Sequence, residues 1–354
     1  MKSNQIHIDF KLNGESFSSI EALLTNSKTL PVSIKEFLTK WFSKNDFLEV
    51  STSGSTGKPK LIKLKKEFMI NSAIATGSYL NLPEKTTALL CMSTDFIAGK
   101  MMLVRALVLG WELDVVLPVS NPLACLNKTF DFSAMVPMQL QNSLTEIYKV
   151  KKLIVGGGVV SKELEKQMQL IPTEVFATFG MTETITHIAL KRLNHFGDKN
   201  LSEVDNSYYK CLPNVSIKQD NRSCLVIKAF KVSDDEIITN DVVKIISDNE
   251  FKWLGRIDNV INSGGIKLHP ELIEKKLSQL ISQRFFITGV PDKVLGEKLI
   301  LIIEGIKSEL NFKKLVGLSK YEIPKEIYYV NRFIETRSGK IQRDKTLDLI
   351  LKRN

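Results

Sequence analysis

Short apolar runs recur along the first half of the chain, at a length typical of buried β-strands. They lie at 88–92, 113–117, 134–136 and 152–155. Stretches with helical character separate them, at 65–80, 99–109 and 138–148. Alternating strands and helices are typical of a parallel sheet that helices cover on both faces. The sequence therefore predicts an α/β fold, in which ligands bind at the carboxyl ends of the strands.

The pattern changes where the last third of the chain begins. Runs at 225–228 and 236–246 predict short antiparallel strands. A turn rich in Gly, Asn and Ser then leads into a helix at Pro270, since proline is favoured as a first helical residue. We therefore predict two domains. Residues 1–257 form a large N-terminal core with mainly parallel sheets and a small β subdomain, and residues 258–354 form a small, mobile α+β lid.

The composition is that of an ordinary globular protein, since 43% of the 354 residues are hydrophobic and 25% are charged. Lys and Arg outnumber Asp and Glu by 49 to 39, which gives a net charge of +10 and favours acidic partners. Nucleic acid, ATP and coenzyme A are all acidic and would suit a protein with this positive net charge. Because the basic residues are spread along the chain without a dense block, we predict small phosphorylated ligands and no nucleic acid.

The cysteines and histidines indicate no structural zinc site. None of the four cysteines forms a Cys-x-x-Cys pair, and the four histidines show no metal-binding spacing. The N-terminus lacks the continuous apolar run of a signal peptide. The most apolar stretch, 101–109, contains Arg105 and is too short to span a bilayer. We therefore predict a cytoplasmic protein without a membrane partner, and the oligomeric state stays open.

A polar loop is predicted at 51–60, between apolar runs at 47–50 and 61–64. Its candidate binding residues are Ser51, Thr52, Ser53, Gly54, Ser55, Thr56, Gly57 and Lys58. Glycines let the backbone approach an anion, hydroxyl groups donate to its oxygens and lysine supplies charge, so the favoured ligand is a polyphosphate. The loop is not a Walker A motif, because two residues separate its glycines and Pro59 follows the lysine. A flexible surface loop is the alternative.

Three glycines directly follow the predicted strand at 152–155. Gly157 and Gly158 are candidates for a place where a flat ligand lies against bare backbone. A tight turn is the alternative, and the spacing does not match the dinucleotide-binding Gly-x-Gly-x-x-Gly pattern.

A further motif at 178–184 reads Thr-Phe-Gly-Met-Thr-Glu-Thr. Phe179, beside Gly180, is a candidate for stacking on a nucleobase. Thr182 and Glu183 place a hydroxyl and a carboxylate side by side, which suits phosphate together with Mg²⁺, a cation that takes carboxylate and phosphate oxygens as ligands. The alternative is a capped helix start.

Three further candidate binding or catalytic positions follow in the chain, and each is weak evidence by itself. They are Asp241, the Gly-Arg-Ile-Asp run at 255–258 that holds Arg256 and Asp258, and the late glycine loop that ends in Lys340. A turn aspartate and a solvated C-terminal lysine are the ordinary explanations of the first and the last.

These six motifs, in this order between residues 47 and 343, resemble those of the adenylate-forming enzymes: acyl-CoA synthetases, peptide-synthetase adenylation domains and luciferases. The resemblance implies that ATP and a carboxylic acid form an acyl-adenylate, which a thiol such as that of coenzyme A then attacks. It implies catalytic roles for Lys340, Thr182 and Glu183, with Glu183 binding Mg²⁺. The other implied roles are phosphate binding by 51–58, nucleotide binding by Gly157, Gly158, Phe179, Gly180, Asp241 and Arg256, a hinge at Asp258 and a thiol tunnel beside Gly264 and Gly265.

Within this family, the stretch at 95–107 is most similar to o-succinylbenzoate–CoA ligases of menaquinone synthesis, in a shortened form. The resemblance implies a substrate with a second carboxylate, which a cation must meet. Arg105 is the best candidate, because it is a lone charge in an apolar helix; the alternative is an arginine that extends to the surface. Only fifty residues precede the polar loop, so we expect a reduced or missing N-terminal subdomain.

Three other functions stay open from the sequence. One is ligation of coenzyme A to a different aryl or acyl acid. Another is a stand-alone adenylation enzyme that loads a carrier protein, for which the sequence shows no docking surface. A non-catalytic nucleotide-binding relative is disfavoured, because Glu183 and Lys340 are both present.

Overall fold

The computed structural model describes residues 5–27, 30–51, 61–195, 208–307, 310, 312, 318–336 and 341–351. Its strands are β1 (Lys11–Leu12), β2 (Glu15–Ser16), β3 (Phe47–Ser51), β4 (Leu61–Lys65), β5 (Thr87–Leu90), β6 (Glu112–Val115), β7 (Phe130–Met135), β8 (Val150–Val155), β9 (Glu174–Gly180), β10 (His187–Arg192), β11 (Tyr209–Cys211), β12 (Ser216–Gln219), β13 (Cys224–Lys228), β14 (Ile237–Ser247), β15 (Glu250–Arg256), β16 (Ile261–Ser263), β17 (Ile266–Leu268), β18 (Phe285–Asp292), β19 (Gly296–Glu304) and β20 (Glu326–Val330). Its α-helices are α1 (Ile20–Asn26), α2 (Val32–Trp41), α3 (Lys66–Leu80), α4 (Ile97–Leu109), α5 (Pro137–Asn142), α6 (Lys162–Gln167), α7 (Pro270–Leu277) and α8 (Arg343–Leu351). Short 3-10 turns lie at Ile147–Lys149, Met168–Leu170, Thr182–Thr184 and Ile257–Asn259.

Thirteen of the described strands form one sheet, in the order β12-β13-β14-β15-β11-β10-β9-β8-β7-β5-β6-β1-β2. The strands from β9 through β8, β7, β5 and β6 to β1 are parallel. From β9 to β12, neighbouring strands are antiparallel. The predicted α/β fold class is confirmed, and the small β region continues the parallel sheet instead of standing beside it.

The four predicted parallel strands are confirmed as β5, β6, β7 and β8, with ends shifted by a few residues. The helix predicted at 138–148 is shorter, because α5 ends at Asn142 and a 3-10 turn begins at Ile147. Ser143 follows α5, is fully buried and donates its hydroxyl to Asn121 Oδ1 at 3.1 Å. A serine that bonds outside the helix favours its end.

Helix α4 packs on α3 and on β5 in the core. It is apolar on almost every side, and nine of its thirteen residues are buried. A helix of this kind belongs inside a protein. It ends at Gly110, where φ is +69° and where a side chain would lie 2.3 Å from the ring of His7.

After β15 the chain passes through the Ile257–Asn259 turn into a second sheet of five described strands, in the order β17-β16-β19-β18 with β20 parallel to β19. Helix α7 opens at Pro270 as predicted and buries Ile273 and Leu277. The division into two domains after residue 257 and the mobility of the second stay predictions. Within the described ranges, every helix is too short or too polar to cross a membrane.

Candidate active site

A cleft of about 1190 Å³ lies where the carboxyl ends of β8 and β9 approach β14, β15 and α7. Its lining includes Gly158, Thr178, Phe179, Asp241, Trp253 and Ile341. The carboxyl edge of parallel strands is the usual ligand-binding place of α/β sheets. The fold therefore brings residues of the glycine motif, the 178–184 motif and Asp241 together with the neighbour of Lys340.

The glycine motif exposes bare backbone at the end of β8. Gly157 and Gly158 are both exposed, and Gly157 has a φ of +79°. Thr178 Oγ1 donates to the Val155 carbonyl at 3.3 Å, and a side chain at Gly156 would lie 2.4 Å from that hydroxyl. Glycine at 156 therefore lets β8 and β9 end side by side, and ligand binding by Gly157 and Gly158 stays a prediction.

Phe179 lines the cleft as part of an aromatic cluster. Its ring centroid is 5.0 Å from that of Phe251 and 5.6 Å from that of Tyr209. Gly180 pairs with His187 across β9 and β10, and a side chain at Gly180 would lie 2.2 Å from the Thr186 carbonyl oxygen. The aromatic residue is thus held in place at the cleft, while the glycine is required by the strand pairing.

Thr182 and Glu183 lie in the 3-10 turn that joins β9 to β10. Glu183 is exposed, and its carboxylate has no hydrogen bond or ion pair to any described residue. Ile185 follows at φ +65°, which β-branched residues rarely adopt. Backbone strain of this kind is concentrated near functional sites, so the turn is shaped for more than chain reversal.

The polar loop joins β3 to β4, which the structure pairs as antiparallel strands with Ser51 opposite Leu61. Ser51 is exposed at the end of β3. Thr52, Ser53, Gly54, Ser55, Thr56, Gly57 and Lys58 lie outside the described residues. Strand β4 contacts the Thr182–Thr184 turn, so the hairpin and Glu183 are neighbours, as a shared phosphate site requires.

Asp241 and Asp258 are linked through Arg256. Asp241 Oδ1 accepts a hydrogen bond from Trp253 Nε1 at 2.9 Å, and Asp241 Oδ2 is 3.8 Å from Arg256. Burial raises the pKa of Asp241, while Trp253 and Arg256 act in the opposite direction. Asp258 accepts from Asn240 Nδ2 at 3.2 Å and from Arg256 at 3.1 Å. Arg256 therefore connects the candidate ribose residue to the candidate hinge.

The candidate thiol-tunnel glycines lie in the second sheet, and the motif that contains Lys340 follows that sheet in the chain. Gly264 and Gly265 form the two-residue turn between β16 and β17, with φ values of +58° and +80° that suit a tight hairpin. Lys340 lies outside the described residues. Its loop is closed by a bridge between Glu335 and Ile341, and Ile341 lines the cleft. The tunnel and catalytic roles stay predictions.

Arg105 is buried in α4 with 1% of its surface exposed, and it lies outside the lining of the large cleft. Its Nη1 contacts Met102 Sδ at 3.8 Å, while its Nε and Nη2 have no hydrogen-bond partner among the described residues. Burial lowers the pKa of Arg105 to about 9, so the guanidinium stays charged at neutral pH. The alternative of an arginine that extends to the surface is wrong.

His187 and Thr76, beside Arg105, were not identified from the sequence. His187 is buried, and its Nε2 is 3.2 Å from Thr76 Oγ1. Thr76 donates its hydroxyl proton to the Ser72 carbonyl, so His187 Nε2 carries the proton that it donates to Thr76. Burial and the charge of Arg105 hold the pKa of His187 well below its usual value. His187 is thus a neutral imidazole near a buried cation.

The sequence profile of the family described as AMP-binding enzymes matches residues 50–223. An AMP-forming acyl-CoA synthetase/AMP-acid ligase II-like protein from Dyadobacter fermentans is 38% identical, with a TM-score of 0.60, over 90% of this chain and 93% of that protein. The chain belongs to the AMP-binding enzyme family. Its class of chemistry is the ATP-dependent, AMP-forming ligation of an acid.

Two further relatives carry more specific names. A 2-succinylbenzoate–CoA ligase from Staphylococcus epidermidis is 25% identical over 83% of this chain and 68% of that enzyme. The o-succinylbenzoate CoA synthetase of Bacillus subtilis, solved with its acyl-adenylate intermediate, aligns with a TM-score of 0.73 and 20% identity over 84% of this chain and 68% of that one. At this identity, the second likeness shows the shared fold.

Proposed function

We propose that the protein is an o-succinylbenzoate–CoA ligase that consumes ATP and releases AMP and pyrophosphate. The observation that carries the proposal is Arg105, a charged side chain wholly buried in α4 without a carboxylate partner among the described residues. An uncompensated buried charge is costly. The second carboxylate of the acid would offset that cost if the acid extends from the cleft toward α4, since Arg105 itself lies outside the lining of the cleft. The names of the Staphylococcus and Bacillus relatives support the same acid.

In the first half-reaction a carboxylate oxygen of the acid attacks the α-phosphorus of ATP. The bond from that phosphorus to the oxygen shared with the β-phosphate breaks, and pyrophosphate leaves. Catalysis of such a transfer is mainly positioning and charge neutralisation. We assign the phosphates to the loop at 51–58 and to Thr182, the base and ribose to Phe179 and Asp241, and the bridge between acid and α-phosphate to Lys340.

Glu183 fits a magnesium site. Its carboxylate is exposed, has no partner among the described residues and lies in the turn that contacts β4. Mg²⁺ favours one or two carboxylates together with phosphate oxygens and water, and when bound it neutralises charge on the phosphates. The side chain therefore offers the metal one oxygen ligand beside the predicted phosphate loop.

In the second half-reaction the thiol sulfur of coenzyme A loses its proton and attacks the carbonyl carbon of the acyl-adenylate. The bond between that carbon and the phosphate oxygen breaks, and AMP leaves. We propose that residues from 258 onward rotate at Asp258, which withdraws Lys340 and brings Gly264 and Gly265 to the thiol. Use of one segment in two positions is a hinge closure.

A screen of acids tests the proposed function. Pyrophosphate release is measured with o-succinylbenzoate, benzoates and fatty acids, with and without coenzyme A, and thioesters are identified by mass. We expect the highest kcat/KM with o-succinylbenzoate and its coenzyme A thioester as the product. Preference for a monocarboxylic acid contradicts the substrate, and release without any coenzyme A thioester indicates loading of a carrier protein.

Replacing Glu183 with glutamine should raise the Mg²⁺ concentration needed for half-maximal adenylation and slow the reaction by about a hundredfold or more, because a neutral amide is a poorer ligand for a hard cation. Titration of Mg²⁺ in an ATP–pyrophosphate exchange assay measures both effects. Glu36→Gln is the control, since Glu36 is an exposed glutamate outside both the turn and the cleft lining. An unchanged Mg²⁺ requirement makes Glu183 a turn residue only.

A further inference from the structure

Lysines from both sides of the large cleft meet where α6 faces α7. Lys162 belongs to α6, Lys191 to β10 and Lys275 to α7, and all three line the cleft. Glu165 of α6 lies among them. Its Oε1 is 3.5 Å from Lys275 Nζ and 3.9 Å from Lys191 Nζ. One carboxylate thus joins a lysine that precedes the hinge at Asp258 to a lysine that follows it.

Apart from Glu165, the charges that face Lys275 of α7 at this place are the lysines Lys162 and Lys191, which repel it. Burial, together with the positive charge of Lys275, lowers the pKa of Lys191 to about 8. Burial also lowers the pKa of Lys162, and Lys275 again acts in the same direction. Neighbouring positive charges disfavour the charged forms of one another. Without Glu165, the approach of α7 would bring Lys275 toward two uncompensated cations.

The neighbouring lysine of α7 behaves differently. Lys276 Nζ lies 2.6 Å from Glu322 Oε1, and both residues follow the hinge. This ion pair stays intact however α7 moves relative to the core. Of these two ion pairs, the pair of Glu165 with Lys275 must break when the segment after Asp258 rotates away.

We propose that Glu165 is a positioning residue, whose ion pair with Lys275 holds α7 against the core in the arrangement that forms the adenylate. The proposal rests on the proposed function, which requires that arrangement in the first half-reaction and its loss in the second. Ile341, next to the predicted catalytic Lys340, lines the same cleft as Glu165 and Lys275. The ion pair of Glu165 with Lys275 therefore stabilises the arrangement that would bring Lys340 to the cleft for adenylate formation.

The two half-reactions separate this role from a general structural one. Glu165→Gln should lower kcat/KM for adenylation, measured by ATP–pyrophosphate exchange, by about fivefold, as expected for loss of an ion pair of about 1 kcal/mol. Thioester formation from pre-formed acyl-adenylate should be unchanged or faster. Glu36→Gln, on α2, removes the same charge from an exposed glutamate that lies outside the cleft lining and has no ion pair among the described residues, so it should change neither rate.

A double-mutant cycle tests the pairing itself. Lys275→Gln should slow adenylation by no more than Glu165→Gln does, because it removes the repulsion from Lys162 and Lys191 together with the ion pair. The double variant should be no slower than Glu165→Gln, because one interaction is lost only once. Lys276→Gln is the matched control, since its partner Glu322 lies on its own side of the hinge. Additive losses, or equal slowing of both half-reactions, overturn the proposal.

Tryptophan fluorescence reports the arrangement without any activity. Trp41 and Trp111 are fully buried, whereas Trp253, the third tryptophan, lines the cleft on β15, against which α7 packs. Acrylamide quenching should therefore rise in Glu165→Gln and Lys275→Gln, but not in Glu36→Gln. Unchanged quenching overturns the proposed hold on α7, even where an acid screen fails to find a substrate. Increased quenching in an inactive protein supports the hold and rejects only the proposed function.

Discussion

Replacement of Lys340 with alanine is expected to abolish adenylate formation while sparing thioester formation from pre-formed acyl-adenylate. In the proposed mechanism Lys340 neutralises charge between the acid and the α-phosphate, and it is withdrawn before the thiol attacks. Loss of one charge-stabilising donor of this kind costs about a hundredfold or more. ATP–pyrophosphate exchange measures the first step, and thioester formed from synthetic o-succinylbenzoyl-adenylate and coenzyme A measures the second.

The control for this experiment is Lys345→Ala, which removes an exposed lysine from α8, near Lys340 in the chain. It should leave both half-reactions unchanged, because a solvated lysine on the outer face of a helix contributes little. If Lys340→Ala slows both half-reactions equally, the residue has no step-specific role. The assignment then fails, and with it the use of two positions by the residues after Asp258.

The strands of the parallel sheet were predictable because burial on both faces requires continuous apolar runs, as at 88–92, which the fold confirms as β5. The start of α7 at Pro270 was predictable from a local signal, because proline is favoured as a first helical residue. The apolar runs at 47–50 and 61–64 were visible in the sequence, whereas their antiparallel pairing as β3 and β4 was not predicted. The length of α5 was not, because its end depends on a hydrogen bond between Ser143 and Asn121.

Contacts between distant segments could not be predicted. Thr76 and His187 are separated by 111 positions, and Glu165 and Lys275 by 110, and neither pair stands in a recognisable motif. Each pair joins elements that are far apart in the chain, α3 with β10 and α6 with α7, and only folding brings them together. The motifs indicated which segments form the candidate active site. The two pairs concern other properties: the first lies near the buried cation Arg105, and the second is proposed to hold α7.

Arg105 gives the sharpest test of the substrate. Arg105→Met should lower kcat/KM for o-succinylbenzoate by about thirtyfold or more, because removing one partner of a desolvated charge pair typically costs about 2–5 kcal/mol. A benzoate without a second acid group should lose far less, and the KM for ATP should change little. Comparison of kcat/KM for the two acids, in wild type and variant, measures the effect.

The same substitution should not weaken the fold, which separates a substrate role from a structural one. The described surroundings of Arg105 leave Nε and Nη2 without partners, so an apolar side chain of similar length removes a costly buried charge. The thermal midpoint of the ligand-free variant should therefore be equal to that of the wild type or higher. Leu103→Met, a volume-conserving change two residues before Arg105 on α4, keeps the guanidinium and its contact with Met102 and should leave both activity and discrimination unchanged.

A folded Arg105→Met variant that loses activity equally on both acids, or keeps it on both, returns Arg105 to a structural role. A lower midpoint together with equal losses points to the same conclusion, because it means that the cation stabilises α4 through contacts within the protein. Either result removes the observation that carries the o-succinylbenzoate proposal. The AMP-forming ligase chemistry would stand, since it depends on the family and on the cleft at β8 and β9 and not on this helix.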